Sequence, residues 1–199
     1  MAVLVYVDNS NGKIPNSSKE AVFYASKVAQ DQSTDTVALI VGSIDKEALE
    51  NLGNFGADKV MCISDEKLDN FDSQAFTKVI SAGVGSAGAD VIIFSHNYTS
   101  KSVGPRLSAQ LNAGMVVNVV GYPKQEGEGM LLRRTVFSGK AYADVRLTGD
   151  VKIIAIQSNS FSPEVTGKKA VVEELSISLS DDDVGVSVFD NIVNPFCSD

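Results

Sequence analysis

Residues 83 to 88, Gly-Val-Gly-Ser-Ala-Gly, spell GxGxxG, the spacing at which backbone N–H groups cradle a pyrophosphate. That chemistry needs a strand before the glycines and a helix after them. Here the helix-like residues Phe76, Val79 and Ile80 come first and the strand-like run from Asp90 to Phe94 follows. The order is reversed, and the glycines read as a helix end with a turn. The single histidine, His96, stands just past that strand in Ser95-His96-Asn97-Tyr98. A neutral imidazole at the carboxyl edge of a sheet has the right chemistry for a base. No neighbouring carboxylate orients it and no serine elbow accompanies it, so a hydrogen-bonded loop histidine is the plainer reading. Ser100 to Arg106 opens a helix whose start suits an anion, with Arg106 one turn in, free to pair with an acid or a partner chain. Arg133 and Arg134 precede the turn Phe137-Ser138-Gly139-Lys140. Adjacent strand residues face opposite sides, so one arginine points inward or to an interface while the other is solvated.

Two further groups fail as metal sites. Asp181, Asp182 and Asp183 lack the spacing and backing glutamate of a calcium loop, so they read as a solvated turn. Cys62 and Cys197 form no CxxC, and one histidine does not complete a zinc set with them. Lone thiols fit a reducing compartment. The residues alone therefore yield no nucleophile–base pair, no metal cluster and no phosphate loop.

The elements that position these residues follow from periodicity. Apolar runs at Ala2–Val7, Thr36–Val41, Lys59–Ile63, Asp90–Phe94 and Val116–Val120 read as strands buried on both faces. Between them lie helical patterns. Ser17 and Glu20 form a capping box ahead of Ala21, Val22, Ala25, Val28 and Ala29. A short helix runs through Leu49 and Leu52, Asp72 or Ser73 caps the next, and Val103, Leu107 and Leu111 share one face of another, which Gly114 ends. This alternation predicts a three-layer α/β domain with a mostly parallel sheet, of the adenine-nucleotide-hydrolase type. From Tyr122 onward helices vanish. Met130–Phe137, Lys140–Leu147 and Lys152–Gln157 are expected as an appended antiparallel meander, and Val171–Leu179 as an edge strand. Ser180 to Gly185 reads as an acidic turn, and residues 190–199 as a linker or tail.

Charge and length exclude some functions. Of 25 acidic and 17 basic residues, seven acidic and none of the basic ones fall from Glu173 onward. The body is nearly neutral and lacks the clustered Lys and Arg of a nucleic-acid binder. No run approaches the roughly 20 apolar residues that span a bilayer. No signal peptide precedes the first strand, so cytoplasm or mitochondrial matrix is expected.

Several stretches, in order, resemble the amino-terminal domain of electron transfer flavoprotein alpha subunits. They are Val3-Leu4-Val5-Tyr6, Phe55-Gly56-Ala57-Asp58-Lys59-Val60, Gly104-Pro105-Arg106-Leu107 and, most specific, Arg134-Thr135-Val136-Phe137-Ser138-Gly139-Lys140-Ala141. The likeness covers residues 3 to 189. It departs after Ile156, where the family usually carries an Arg and a Gly and this chain has Gln157 and Asn159. The resemblance implies a bowl-shaped scaffold domain over residues 1–189, without catalytic residues of its own. Such a domain packs against a beta subunit of similar fold in a heterodimer. It implies FAD in the full-length protein, held by a carboxy-terminal domain with a Gly-Gly-Arg-Gly type loop that is absent from this sequence. The fragment itself is expected to bind none. Electrons would come from flavin dehydrogenases, such as acyl-CoA dehydrogenases, and pass to a quinone reductase. Arg106, Arg134, Phe137, Gly139 and Lys140 are the candidates for interface or structural work. The alternative is a free-standing adenine-nucleotide-binding protein, with a site gathering Asp8, Ser95, His96, Asn97 and the helix start near Ser100.

Overall fold

The computed structural model describes residues 1–127, 129–180 and 183–185. Among the described residues ten strands form one sheet: β1 (Ala2–Val7), β2 (Asp35–Val41), β3 (Lys59–Ile63), β4 (Ala89–Ser95), β5 (Gly114–Val119), β6 (Lys124–Glu126), β7 (Gly129–Val136), β8 (Ala141–Leu147), β9 (Lys152–Ile156) and β10 (Val171–Glu174). Four helices join the first five strands: α1 (Asn16–Gln32), α2 (Lys46–Glu50), α3 (Ser73–Ala87) and α4 (Tyr98–Gln110). The strand order is β10-β3-β2-β1-β4-β9-β5-β7-β6, with β8 on β7.

The central strands are apolar throughout because both faces are covered. Successive side chains of β1 alternate between two cores. Val3, Val5 and Val7 meet Ala21, Val22, Tyr24 and Val28 of α1 on one side. Leu4 and Tyr6 meet Val79 and Ile80 of α3, and Val103 and Leu107 of α4, on the other. The three layers and the mostly parallel sheet are as the periodicity predicts.

Some local expectations fail. The strand Lys152–Ile156 is no part of a meander. It lies between β4 and β5 and runs parallel to both. Its residues Ile153 to Ile156 are all buried, as an interior strand requires, and that outweighs proximity in sequence to the antiparallel β7–β8 pair. The hairpin β7–β8 itself is antiparallel, from Met130↔Leu147 to Val136↔Ala141. The edge strand shortens to Val171–Glu174 and pairs in parallel with β3. Beyond it Leu175, Ile177 and Leu179 leave the ladder to pack on the second core.

The capping box at Ser17 and Glu20 is also absent: α1 starts after Pro15 with no side-chain cap. Glu20 is buried and used elsewhere. It accepts backbone N–H bonds from Asn159 (2.8 Å), Ser160 (2.7 Å) and Phe161 (2.6 Å), in the loop after β9. Phe161 then packs edge-on to Tyr24. At the other sites capping follows expectation. Asp72 accepts from the N–H groups of Gln74 and Ala75 at the start of α3. Helix α4 closes at Gln110, and Gly114 opens β5 instead of ending the helix.

Candidate functional site

The sheet places β1 and β4 side by side, with β2 and β3 on one flank and β9 and β5 on the other. Open α/β sheets bind ligands at the carboxyl ends of such a pair. Here those ends carry Asp8, Ser95, His96 and Asn97. The structure brings these residues together, but most of them satisfy one another. The Asp8 carboxylate accepts from Asn97 Nδ2 at 2.7 Å and from Ser18 Oγ at 3.2 Å. Asn97 and Ser100 form a reciprocal capping box at the start of α4. Ser95 Oγ donates to the Ser17 carbonyl at 2.8 Å. Burial pushes the Asp8 carboxyl up, against the opposing hydrogen bonds from Asn97 and Ser18.

Beside Asp8 opens a cleft of about 460 Å³, lined by Tyr6, Asn9, Gly42, Asp69, Phe71 and Tyr98 among others. Its lining carries two carboxylates, Asp8 and Asp69, and no Lys or Arg. A pyrophosphate seeks the opposite, N–H groups and cations. The GxGxxG glycines offer no alternative cradle. Gly83 and Gly85 lie within α3, and Gly88 is its left-handed cap with φ of 58°. A Cβ at Gly83 would run into Leu39 of β2, so that glycine serves helix-on-sheet packing. The lining of this cleft and the glycines of α3 thus present no Lys or Arg to a pyrophosphate.

His96 differs from its neighbours. Its backbone N–H bonds the Ile156 carbonyl at 2.8 Å, tying it to the end of β9. Its Nδ1 is buried and has no hydrogen-bond partner. Burial lowers its pKa, and the positive charges of Lys101 and Arg134 lower it further.

The hairpin resolves the arginine pair. Arg133 faces solvent and grips Asp144 with two bonds, Nε to Oδ1 at 2.8 Å and Nη2 to Oδ2 at 2.9 Å. Arg134 faces the other way and its Nε is buried without a partner. It lines a hollow of about 390 Å³ with Asn118, Thr135, Phe137, Ser138, Gly139 and Gln157. Asn118 sits at an irregularity in β5, with φ of 58°, that shifts the β5–β9 register.

At the hairpin tip, Phe137, Ser138 and Gly139 take φ values of 51°, 56° and 83°. Such a conformation suits Gly139 and strains a phenylalanine. The Phe137 ring is nevertheless 79% exposed. Lys140 beside it is exposed, as is Tyr142. Arg106 is exposed on α4, with no ion pair to any described residue.

Among the described residues no group of His, Cys, Asp or Glu is placed to hold a metal. Asp183 is bound to Lys78 at 2.6 Å, and the lysine together with Ser180 holds its carboxyl down at about 2. Asp181, Asp182, Cys197 and residues 190–199 lie outside the described residues. Cys62 is free and partly buried, and burial with the nearby Glu174 pushes its thiol up. No helix among the described residues is long and apolar enough to cross a membrane. Sequence reasoning missed Glu20 as a clamp and Gln157 as part of the hollow. Glu20 carried a visible signal, but that signal pointed to its own helix.

Comparison with known proteins agrees with the fold. A family model described as the electron transfer flavoprotein domain matches residues 3–180. The electron transfer flavoprotein subunit alpha of Bacillus subtilis is 24% identical over 90% of this chain and 55% of its own length. Protein FixB of Clostridium saccharobutylicum is 24% identical over 96% of this chain and 58% of its own. The acryloyl-CoA reductase electron transfer subunit beta of Anaerotignum propionicum is 26% identical over 58% of this chain and 32% of its own. The chain thus spans little more than half the length of the first two relatives. The match over nearly the whole described fold, with the Arg134–Ala141 hairpin inside it, means that this chain belongs to the electron transfer flavoprotein domain family.

Proposed function

We propose that this chain is the platform of an alpha-type electron transfer flavoprotein. It holds no electrons itself and docks the parts that do. In this reading FAD is bound by a further domain, outside residues 1–189, and a beta subunit of similar fold packs beside the platform. The assembled protein takes electrons from flavin dehydrogenases and delivers them to a quinone reductase. When bound, the flavin supplies the redox chemistry and the protein supplies its position.

The observation that carries the docking role is Phe137. A large apolar ring lies 79% exposed on a left-handed turn that disfavours it. Strain and exposure together cost an isolated domain stability, and both make sense where a partner covers the ring. Gly139 permits the turn, and Lys140 adds exposed positive charge beside the ring, while Arg106 is a second exposed cation, on α4. The cleft beside Asp8 supports the same division of labour, because its acidic lining suits neither FAD nor a nucleotide phosphate.

The test is co-expression with the beta-type subunit of the same organism. Wild type should co-purify with it as a 1:1 complex, and Phe137→Asp should weaken that complex by about a hundredfold, the cost of losing one central aromatic anchor. Equal binding by wild type and variant would remove the hairpin from the interface. Failure of both to bind would remove the platform reading itself.

A further inference from the structure

The cleft beside Asp8 has a chemistry that the platform role leaves unused. Its lining joins side chains from four places in the chain: Asp8 after β1, Asp69 and Phe71 before α3, Phe76 on α3 and Tyr98 at the start of α4. Phe71 packs against Phe76 with ring centroids 4.9 Å apart, and against Tyr98 at 5.6 Å. The rings meet at 57° and 63°, so the three form one continuous, bent aromatic wall. Tyr98 is 75% exposed. A tyrosine left that open adds little to the core, and its ring surface is available to a ligand.

The charges select the class of ligand. Asp8 is half-buried, yet neither it nor Asp69 has a salt bridge to any described residue. Carboxylates withdrawn from water are normally paired with a cation. Asp8 has hydrogen bonds instead, and those from Asn97 and Ser18 both fall on Oδ2. The start of α4 would favour an anion, but its capping box already closes it. A hard metal ion needs several oxygen ligands, and among the described residues no group of acids is placed for one. Aromatic rings attract a positive charge through their quadrupole, and an organic cation also gains apolar contact with them.

We propose that this cleft is a binding site for a small organic cation, an alkylammonium group held by the Asp8 and Asp69 carboxylates and the wall of Phe71, Phe76 and Tyr98. The charged end answers the two carboxylates, and the alkyl part lies on the rings. The site is independent of the docking role of Phe137.

Calorimetry on the full 199-residue chain would use butylamine, which is protonated near neutrality. Butanol and butyrate serve as the neutral and anionic molecules of equal chain length. Butylamine should bind, while the other two give no heat beyond dilution. Asp8→Asn and Asp69→Asn should each weaken binding by about tenfold, the loss of one charge-assisted contact. Tyr98→Ala should weaken it by about threefold, the loss of one exposed cation–π contact. Asp31 lies near the end of α1, at the opposite edge of the sheet. Asp31→Asn should leave binding unchanged, which separates a site from general attraction to a chain of net charge -8. Asp69 is exposed, so its variant tests the site even if Asp8→Asn disturbs the start of α4. No heat with butylamine at about 10 mM would overturn the proposal, as would butyrate binding equally well. Equal losses in Asp31→Asn and Asp69→Asn would overturn it too.

Discussion

Single carboxylates at the carboxyl edge show how one residue type takes opposite roles. Glu20 holds three consecutive backbone N–H groups at 159–161, none of which has another protein acceptor in view. Glu20→Ala leaves these donors unsatisfied and should cost on the order of 3 kcal/mol, read by urea unfolding, with Glu20→Gln losing less. Asp8 is a burden. Its folded pKa is raised by burial, so the folded chain holds that proton more tightly than the unfolded one. The stability this contributes is present below the unfolded pKa and disappears as pH rises through the folded value. Asp8→Asn keeps an acceptor for Asn97 and removes the buried charge. Its melting temperature should exceed wild type at about pH 8, and the gap should close toward about pH 4. A gap that widens in acid would show that the ionised form is the favoured one. Neither role was legible in the sequence. Glu20 and Ser17 have the letters of a capping box, and letters carry no information about a loop some 140 residues away that competes for the same carboxylate. Asn97 was legible as part of the edge because strand ends and helix starts are set by nearby residues.

Among the elements, two glycines of α4 and the turn before β3 make a controlled comparison. A Cβ on Gly104 would meet only the tip of the Met115 side chain, which can swing aside. A Cβ on Gly53 would meet backbone of Lys169 and Ala170, the strap that leads into β10. Gly104→Ala should be nearly neutral, whereas Gly53→Ala should cost roughly 1–3 kcal/mol. In the second variant the amides of Val171–Glu174 should lose hydrogen-exchange protection before those of β1. Protection lost uniformly would mean the strap is no separate unit. The hairpin tip gives the opposite trade. Phe137→Asn relieves left-handed strain and should stabilise the isolated chain by about 1 kcal/mol in thermal unfolding, while weakening the beta-subunit complex. The elements up to β5 were legible because each has its own periodicity. The place of β9 was not. Its apolar run Ile153–Ile156 said interior strand, but its nearness to an antiparallel hairpin suggested a third meander strand. The fully apolar pattern was the better guide, because a meander strand with one wet face alternates.

For the whole molecule, the family match and the chemistry of the edge make one prediction. The purified chain should carry less than about a tenth of a flavin per mole by absorbance, since the cleft beside Asp8 is lined by two carboxylates and no Lys or Arg. Stoichiometric flavin on the isolated chain would defeat the platform reading. The fold class was legible at this scale because a long series of strand and helix patterns constrains layers tightly. The position of β9 was not, since its neighbours in sequence are the strands of an antiparallel hairpin. That position also matters while the chain is being made. The β4 ladder has β1 on one side from early on, but its other side waits for residues 152–156. Until they leave the ribosome, Val91 to Ser95 present an open apolar edge, and β5 has no neighbour to bridge it to β4. A growing chain stalled between residues 120 and 150 is therefore at greatest risk of pairing with another nascent chain, and that window is where chaperone binding should be strongest.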